Sequence, residues 1–177
     1  MKPFSDYVVS YKDFPKPGVV YWDFTYLLKE PFVRSAAISA FVNHFQHKNV
    51  TKVAAVESKG FTIGALIAER LNLPLILIRK PSLIPGDTHT ASFVKEYGIG
   101  TYEIKADACT AADSVLIIYD IMAGAGATQA ATTLMRQTGA TVAGCGFVVE
   151  LEYLHGREQL EDVDIFSLVK VAKKPNL

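Results

Sequence analysis

The apolar residues fall in short blocks separated by small and polar punctuation, and the period within a block changes along the chain. Residues 30–49, EPFVRSAAISAFVNHFQHKN, place Phe32, Ala36, Phe41 and Phe45 at roughly helical spacing, and Pro31 suits a first helical turn. VTKVAAV (50–56) is a short apolar strand, followed by a helix over TIGALIAERLN (62–72) and a near-continuous apolar strand in LPLILIRK (73–80). VLIIYD (115–120) is a further strand. The helix ATQAATTLMRQTG (127–139) stops at Gly139, and strands return in ATVAGCGFVVEL (140–151) and DIFSLVKVA (164–172). Uninterrupted strands of this kind suit a sheet covered on both faces. Their alternation with helices predicts an α/β fold with a mostly parallel central sheet flanked by helices.

Two stretches break the rhythm. DFPKPG (13–18) forces an irregular path. PSLIPGDTHTASFVKEYGIGTYEIKADA (81–108) opens as a mobile loop, and TYEIKAD within it reads as the outgoing strand of a hairpin.

Ligands of parallel α/β sheets bind at the carboxyl ends of the strands. Three candidate sites stand there: ESKG (57–60), RKPS (79–82) and YDIMAGAGAT (119–128). In the last, a strand runs through a small-residue turn into a helix, which aims backbone N–H groups and the helix dipole at one point. Gly124, Ala125, Gly126 and Ala127 let the backbone approach a phosphate, Thr128 offers a hydroxyl, and Asp120 offers a carboxylate to sugar hydroxyls or a metal. The segment is neither a Walker A loop nor GxGxxG, and chemistry alone leaves a phosphate cradle and a tight packing turn equally open. Lys59 beside the second helix start, and Arg79-Lys80 at the third strand end, are either anion contacts or solvated charge. Tyr21 and Trp22 either line a base-stacking slot or pin the N-terminal segment to the core. His44 and His47 read as a solvated helix face rather than metal ligands, and His89 as a loop residue.

At 177 residues the chain is expected to form one domain, 1–177. Its 18 basic and 18 acidic residues cancel, which excludes a nucleic-acid binder working through bulk positive charge. No apolar run reaches membrane-spanning length, MKPFSDYVVSYKDF has no signal-peptide core, and Cys109 and Cys145 have no metal spacing; the expectation is a cytoplasmic protein with buried thiols and no membrane partner.

In order, DFPKPGVVYWDFTYLL, VAAVESKGFTIGALIAERL, LILIRKPSLIPG, FVKEYGIGTYEI, VLIIYDIMAGAGAT and VVELEYLHGREQL resemble the adenine phosphoribosyltransferase family over essentially the whole chain. The resemblance implies the type I phosphoribosyltransferase fold, with a small hood at about residues 1–30 and a flexible catalytic loop at about 82–102. It implies transfer of phosphoribose from phosphoribosyl pyrophosphate (PRPP) to adenine, giving AMP and pyrophosphate, in a homodimer. Mg2+ would act as cofactor through PRPP, with Asp120 its one candidate protein contact. On the same resemblance Val20, Tyr21 and Ile121 take the adenine, and Ser58, Lys59, Arg79 and Lys80 the pyrophosphate. Glu96 and Tyr97 belong to the catalytic loop, Asp120 to the ribose, and Ala123, Gly124, Ala125, Gly126, Ala127 and Thr128 to the 5′-phosphate.

The chain departs from the family pattern where PRPP is held. Tyr119 stands in place of the first of two acids, the loop lacks the hydroxyls of Ala-Thr-Gly-Gly-Thr, Lys59 replaces an arginine, and Trp22 and Leu83 replace basic residues. Each lost hydrogen bond to a charged group costs roughly 1.5–3 kcal/mol. Weakened PRPP binding is therefore expected, and an acid at 119 with a rebuilt loop is expected to restore it. A catalytically reduced homologue that binds a purine or nucleotide, or a transferase of altered base specificity, is the alternative.

Overall fold

The computed structural model describes residues 2–95, 98–160 and 162–174. In chain order the elements are β1 (Val9–Lys12), β2 (Val20–Asp23), α1 (Thr25–Lys29), α2 (Pro31–Phe45), β3 (Lys52–Val56), α3 (Lys59–Leu71), β4 (Leu75–Ile78), β5 (Thr88–Lys95), β6 (Gly98–Lys105), β7 (Ser114–Met122), α4 (Gly126–Gln137), β8 (Thr141–Leu151) and β9 (Ile165–Val171). Five of these strands form a parallel sheet in the order β4-β3-β7-β8-β9, the α/β sheet that the apolar blocks predict.

Alternation along β7 sorts the two layers. Leu116 and Ile118 join Val53, Val148, Ile63, Ile67 and Phe41 under α2 and α3. Val115, Ile117 and Tyr119 join Cys145, Phe147, Ala131 and Leu134 under α4. The α3 layer depends on two glycines. A Cβ at Gly64 would lie 2.4 Å from the Cβ of Ala55, and one at Gly60 would lie 2.9 Å from the carbonyl oxygen of Ile118. Only glycine lets this helix start directly over the ends of β3 and β7.

Three expectations change. Helix α2 is present, but its buried face is Val33, Ala37, Ile38, Phe41 and Phe45. Phe41 and Phe45 lie on it as expected, but Phe32 is 89% exposed, and in the first half of the helix Val33 and Ala37 take the places expected of Phe32 and Ala36. The DFPKPG segment is the turn of an antiparallel pair, β1 against β2, with Lys12 opposite Val20. Trp22, Phe24 and Leu27, from this N-terminal part, pack into the α2–α3 layer. Thr88–Lys95, which reads as a loop in the sequence, and Gly98–Lys105 pair as β5 and β6, from Thr88 opposite Lys105 to Lys95 opposite Gly98.

Both cysteines are buried free thiols. Burial pushes the Cys145 thiol up to about 12 and raises Cys109 as well. Among the described residues no helix is long and apolar enough to cross a membrane.

Candidate active site

At the carboxyl end of the sheet, β3 and β4 are joined by the bond from the Glu57 N–H to the Ile78 carbonyl, 2.9 Å. The Glu57 carboxylate then organises the RKPS turn: one oxygen accepts from Arg79 Nε at 3.3 Å and from the Lys80 N–H at 3.1 Å. Arg79 also donates to the Leu83 carbonyl at 3.1 Å. From the other side, buried Glu103 of β6 accepts the N–H groups of Leu83 and Ile84, each at 2.9 Å, while its backbone bridges that of Arg79. Two carboxylates thus fix the turn that presents Arg79 and Lys80. Nothing local in TYEIKAD announces that Glu103 is turned inward, because both its partners come from a distant turn. Ser58 is exposed at the start of α3 and makes no side-chain cap bond.

Lys59, at the first position of α3, connects three regions. Its ammonium lies 3.2 Å from the Asp120 carboxylate and 3.5 Å from the Trp22 carbonyl. It also sits 4.6 Å from the centre of the Tyr21 ring and 5.2 Å from that of Phe24. Phe14 packs edge-on against Tyr21, with ring centres 5.1 Å apart. The candidate base residue and the candidate ribose acid therefore share one cation. Trp22 is 9% exposed in the α2–α3 layer, which resolves the sequence ambiguity in favour of pinning. The aromatic slot at this point is Tyr21 with Phe14.

Residues 123–125 join β7 to α4, and the helix starts at Gly126 with no side-chain cap, so its first N–H groups are open to an anion. A cavity of about 500 Å³ lies against this turn, lined by Ile121, Ala123, Gly124, Gly126, Ala127 and Thr128, with Phe93, Val94 and Leu154 across from them. Gly124 has nothing within 4 Å of where a Cβ would stand, whereas one at Gly126 would come within 3.4 Å of the Val94 carbonyl oxygen. Thr128 is only 1% exposed and belongs to the first turn of α4, where it forms part of the cavity wall.

The turn is gripped from behind at both ends. At Ala123, the backbone of Gly156 approaches so closely that a Cβ there would lie 2.8 Å from the Ala123 carbonyl oxygen. Arg157 holds that approach through a forked pair with buried Glu150, at 2.8 and 2.6 Å, and a 2.9 Å bond to the Ile165 carbonyl. Burial is the largest single influence and would raise the Glu150 carboxyl, but the Arg157 and Ser167 hydrogen bonds together with the charges of Arg157 and Lys170 leave the group lowered. At the other end the Tyr119 hydroxyl donates to the Ala127 carbonyl at 2.5 Å. Its ring stacks on Phe147, the residue opposite it in β8, at 5.4 Å and 17°.

Ser58, Lys59, Arg79, Lys80, Asp120, Ile121 and residues 123–128 thus lie at or beyond the carboxyl ends of β3, β4 and β7, and Lys59 links Tyr21, beside Val20 in β2, to Asp120. Glu96 and Tyr97 lie outside the described residues. Among the described residues no group of three or more His, Cys, Asp or Glu converges as metal ligands, and His44 instead meets Asp164 at 3.1 Å.

A family model of the phosphoribosyl transferase domain matches residues 27–175. An adenine phosphoribosyltransferase of Koribacter versatilis is 42% identical over 167 residues, which are 94% of this chain and 92% of that one. Among solved structures, the adenine phosphoribosyltransferase of Rhodothermus marinus superposes with a TM-score of 0.91 at 34% identity, covering 95% of this chain and 96% of that one. The Saccharomyces cerevisiae adenine phosphoribosyltransferase, complexed with D-2,5-dideoxy-2,5-imino-altritol 1,6-bisphosphate and adenine, superposes with a TM-score of 0.87 at 31% identity, covering 93% and 96%.

Proposed function

The chain belongs to the adenine phosphoribosyltransferase family, and from that premise we propose that it transfers phosphoribose from PRPP to adenine, releasing AMP and pyrophosphate. The observation that carries the reading is the convergence of Tyr21, Lys59 and Asp120 beside the uncapped start of α4. The N–H groups of the 123–128 turn hold the 5′-phosphate, and Asp120 accepts hydrogen bonds from the ribose hydroxyls. Adenine lies against Tyr21, with Val20 and Ile121 at its edges. Ser58, Lys59, Arg79 and Lys80 face the pyrophosphate. As the bond at the anomeric carbon loosens, positive charge builds on the ribose and negative charge on the leaving group. Fixed charges on either side stabilise both without reorganising.

Mg2+ supplies charge neutralisation on the pyrophosphate. Glu57 is occupied by Arg79 and the Lys80 N–H, and Asp120 at the neighbouring strand end is paired with Lys59. That donor set suits an ion that arrives with its substrate rather than one held by the protein alone. A homodimer in the cytoplasm completes the proposal. The relatives named above are all transferases, which favours the enzyme over a binding-only module. Incubation with Mg2+, PRPP and labelled adenine tests it: AMP above a protein-free blank is expected, and no AMP together with no PRPP-induced thermal shift overturns it.

A further inference from the structure

The side chain that interrupts the family's acidic pair faces the opposite side of the sheet from the acid that remains. Tyr119 faces the α4 layer, 4% exposed, while Asp120, one residue on, faces Lys59 of α3. The Tyr119 hydroxyl is spent on the Ala127 carbonyl. That bond is the one side-chain hydrogen bond made to residues 123–127 among the described residues. The turn has no hydroxyl of its own with which to brace itself, since it reads Ala-Gly-Ala-Gly-Ala. The ring cannot swing the hydroxyl away without leaving its stack on Phe147. With Gly156 against Ala123, the turn is held at one end by close backbone packing and at the other by a phenol.

We propose that Tyr119 is a positioning residue for the 5′-phosphate: through its bond to the Ala127 carbonyl it sets the start of α4, so that a turn without hydroxyls keeps its N–H groups aimed at the phosphate. Tyr119 touches neither substrate nor reacting atoms, and an external brace replaces the internal one. This rests on the transferase reading for the identity of the phosphate, but its test does not require turnover.

The test compares the wild-type chain with Tyr119→Phe, which keeps the ring stack and removes only the hydroxyl. AMP and adenine binding are measured by calorimetry, and KM for PRPP and for adenine where turnover is present. Loss of one neutral hydrogen bond that orders the site predicts AMP binding weakened about fivefold. KM for PRPP rises by a similar factor, while adenine binding and kcat change less than twofold. A purely structural tyrosine would lower Tm and leave the AMP-to-adenine affinity ratio unchanged, and that result overturns the proposal. Wild-type protein that binds AMP without turning over leaves the comparison intact and defeats only the transferase reading. Wild-type protein that does not bind AMP defeats both.

Discussion

Two neighbours on β7, Tyr119 and Asp120, point to opposite layers of the sheet, and their separation revises what the anomalies in the phosphate turn mean. Burial raises the Tyr119 hydroxyl well above its ordinary range, with Tyr102 adding to the shift, so the group stays a neutral donor at any working pH. An aspartate at 119 would bury an unpaired carboxylate among Phe147, Cys145 and Leu134. Tyr119→Asp is therefore expected to cost about 3 kcal/mol or more, a Tm loss on the order of 10 °C at this chain length. Thermal melts check this, and the result would replace the expectation that an acid restores PRPP binding. Gly124 is the position open to repair: it is exposed, and its missing Cβ would meet nothing. Gly124→Thr is expected to tighten AMP binding about tenfold, as one hydrogen bond to a charged group allows, with Tm nearly unchanged. Calorimetry beside a melt reads both; unchanged affinity would mean the hydroxyl does not reach the phosphate. The motif order showed where these anomalies lie, but only the alternation of β7 in space shows which layer of the sheet each of them faces.

At the scale of elements, the register between β3 and β7 is fastened at its amino end by Asp113. Its carboxylate accepts from Thr110 N–H at 2.8 Å, from Thr51 Oγ1 at 3.1 Å and from Lys52 Nζ at 3.1 Å. The Thr110 N–H is the largest cause that holds the carboxyl down at about 2, against the opposing effect of burial and with help from Lys52 and Thr51. A carboxyl lowered on folding contributes stability above its unfolded value near 3.8 and loses it as pH falls through about 2. Asp113→Asn is accordingly expected to lower Tm by about 2–4 °C at pH 7, roughly 1 kcal/mol. The gap should close between pH 4 and pH 2; a gap of constant size would show that charge is not what the site uses. Sequence patterning located the helices and the sheet strands well because each carries its own period. It misread α2, where Phe32 mimics a core position, and β5, where THTAS alternates too weakly to signal a strand before its pairing with β6 is seen. Glu103 and Gly156 were illegible for a related reason: their meaning lies in Leu83 and in Ala123, far away along the chain.

Over the whole molecule, the N-terminal segment expected to form the hood and the sheet share one apolar layer, in which Trp22, Phe24 and Leu27 pack with Phe41, Ile63 and Ile118. Trp22 is the only tryptophan of the chain. Its fluorescence is expected to change at the same denaturant midpoint as the far-UV circular dichroism of the sheet and helices, as one cooperative unit requires. An earlier fluorescence midpoint would show that the hood unfolds separately, and with it the Tyr21 side of the site. The burial of the two thiols, Cys109 and Cys145, has a practical side. With both sulfurs enclosed and disfavoured as thiolates, the native chain is expected to react with maleimides and disulfide reagents as a cysteine-free background would. A single cysteine placed at Val94, 83% exposed on a strand that lines the cavity at the start of α4, would then carry a spin label or fluorophore at one defined point, with no native residue first removed.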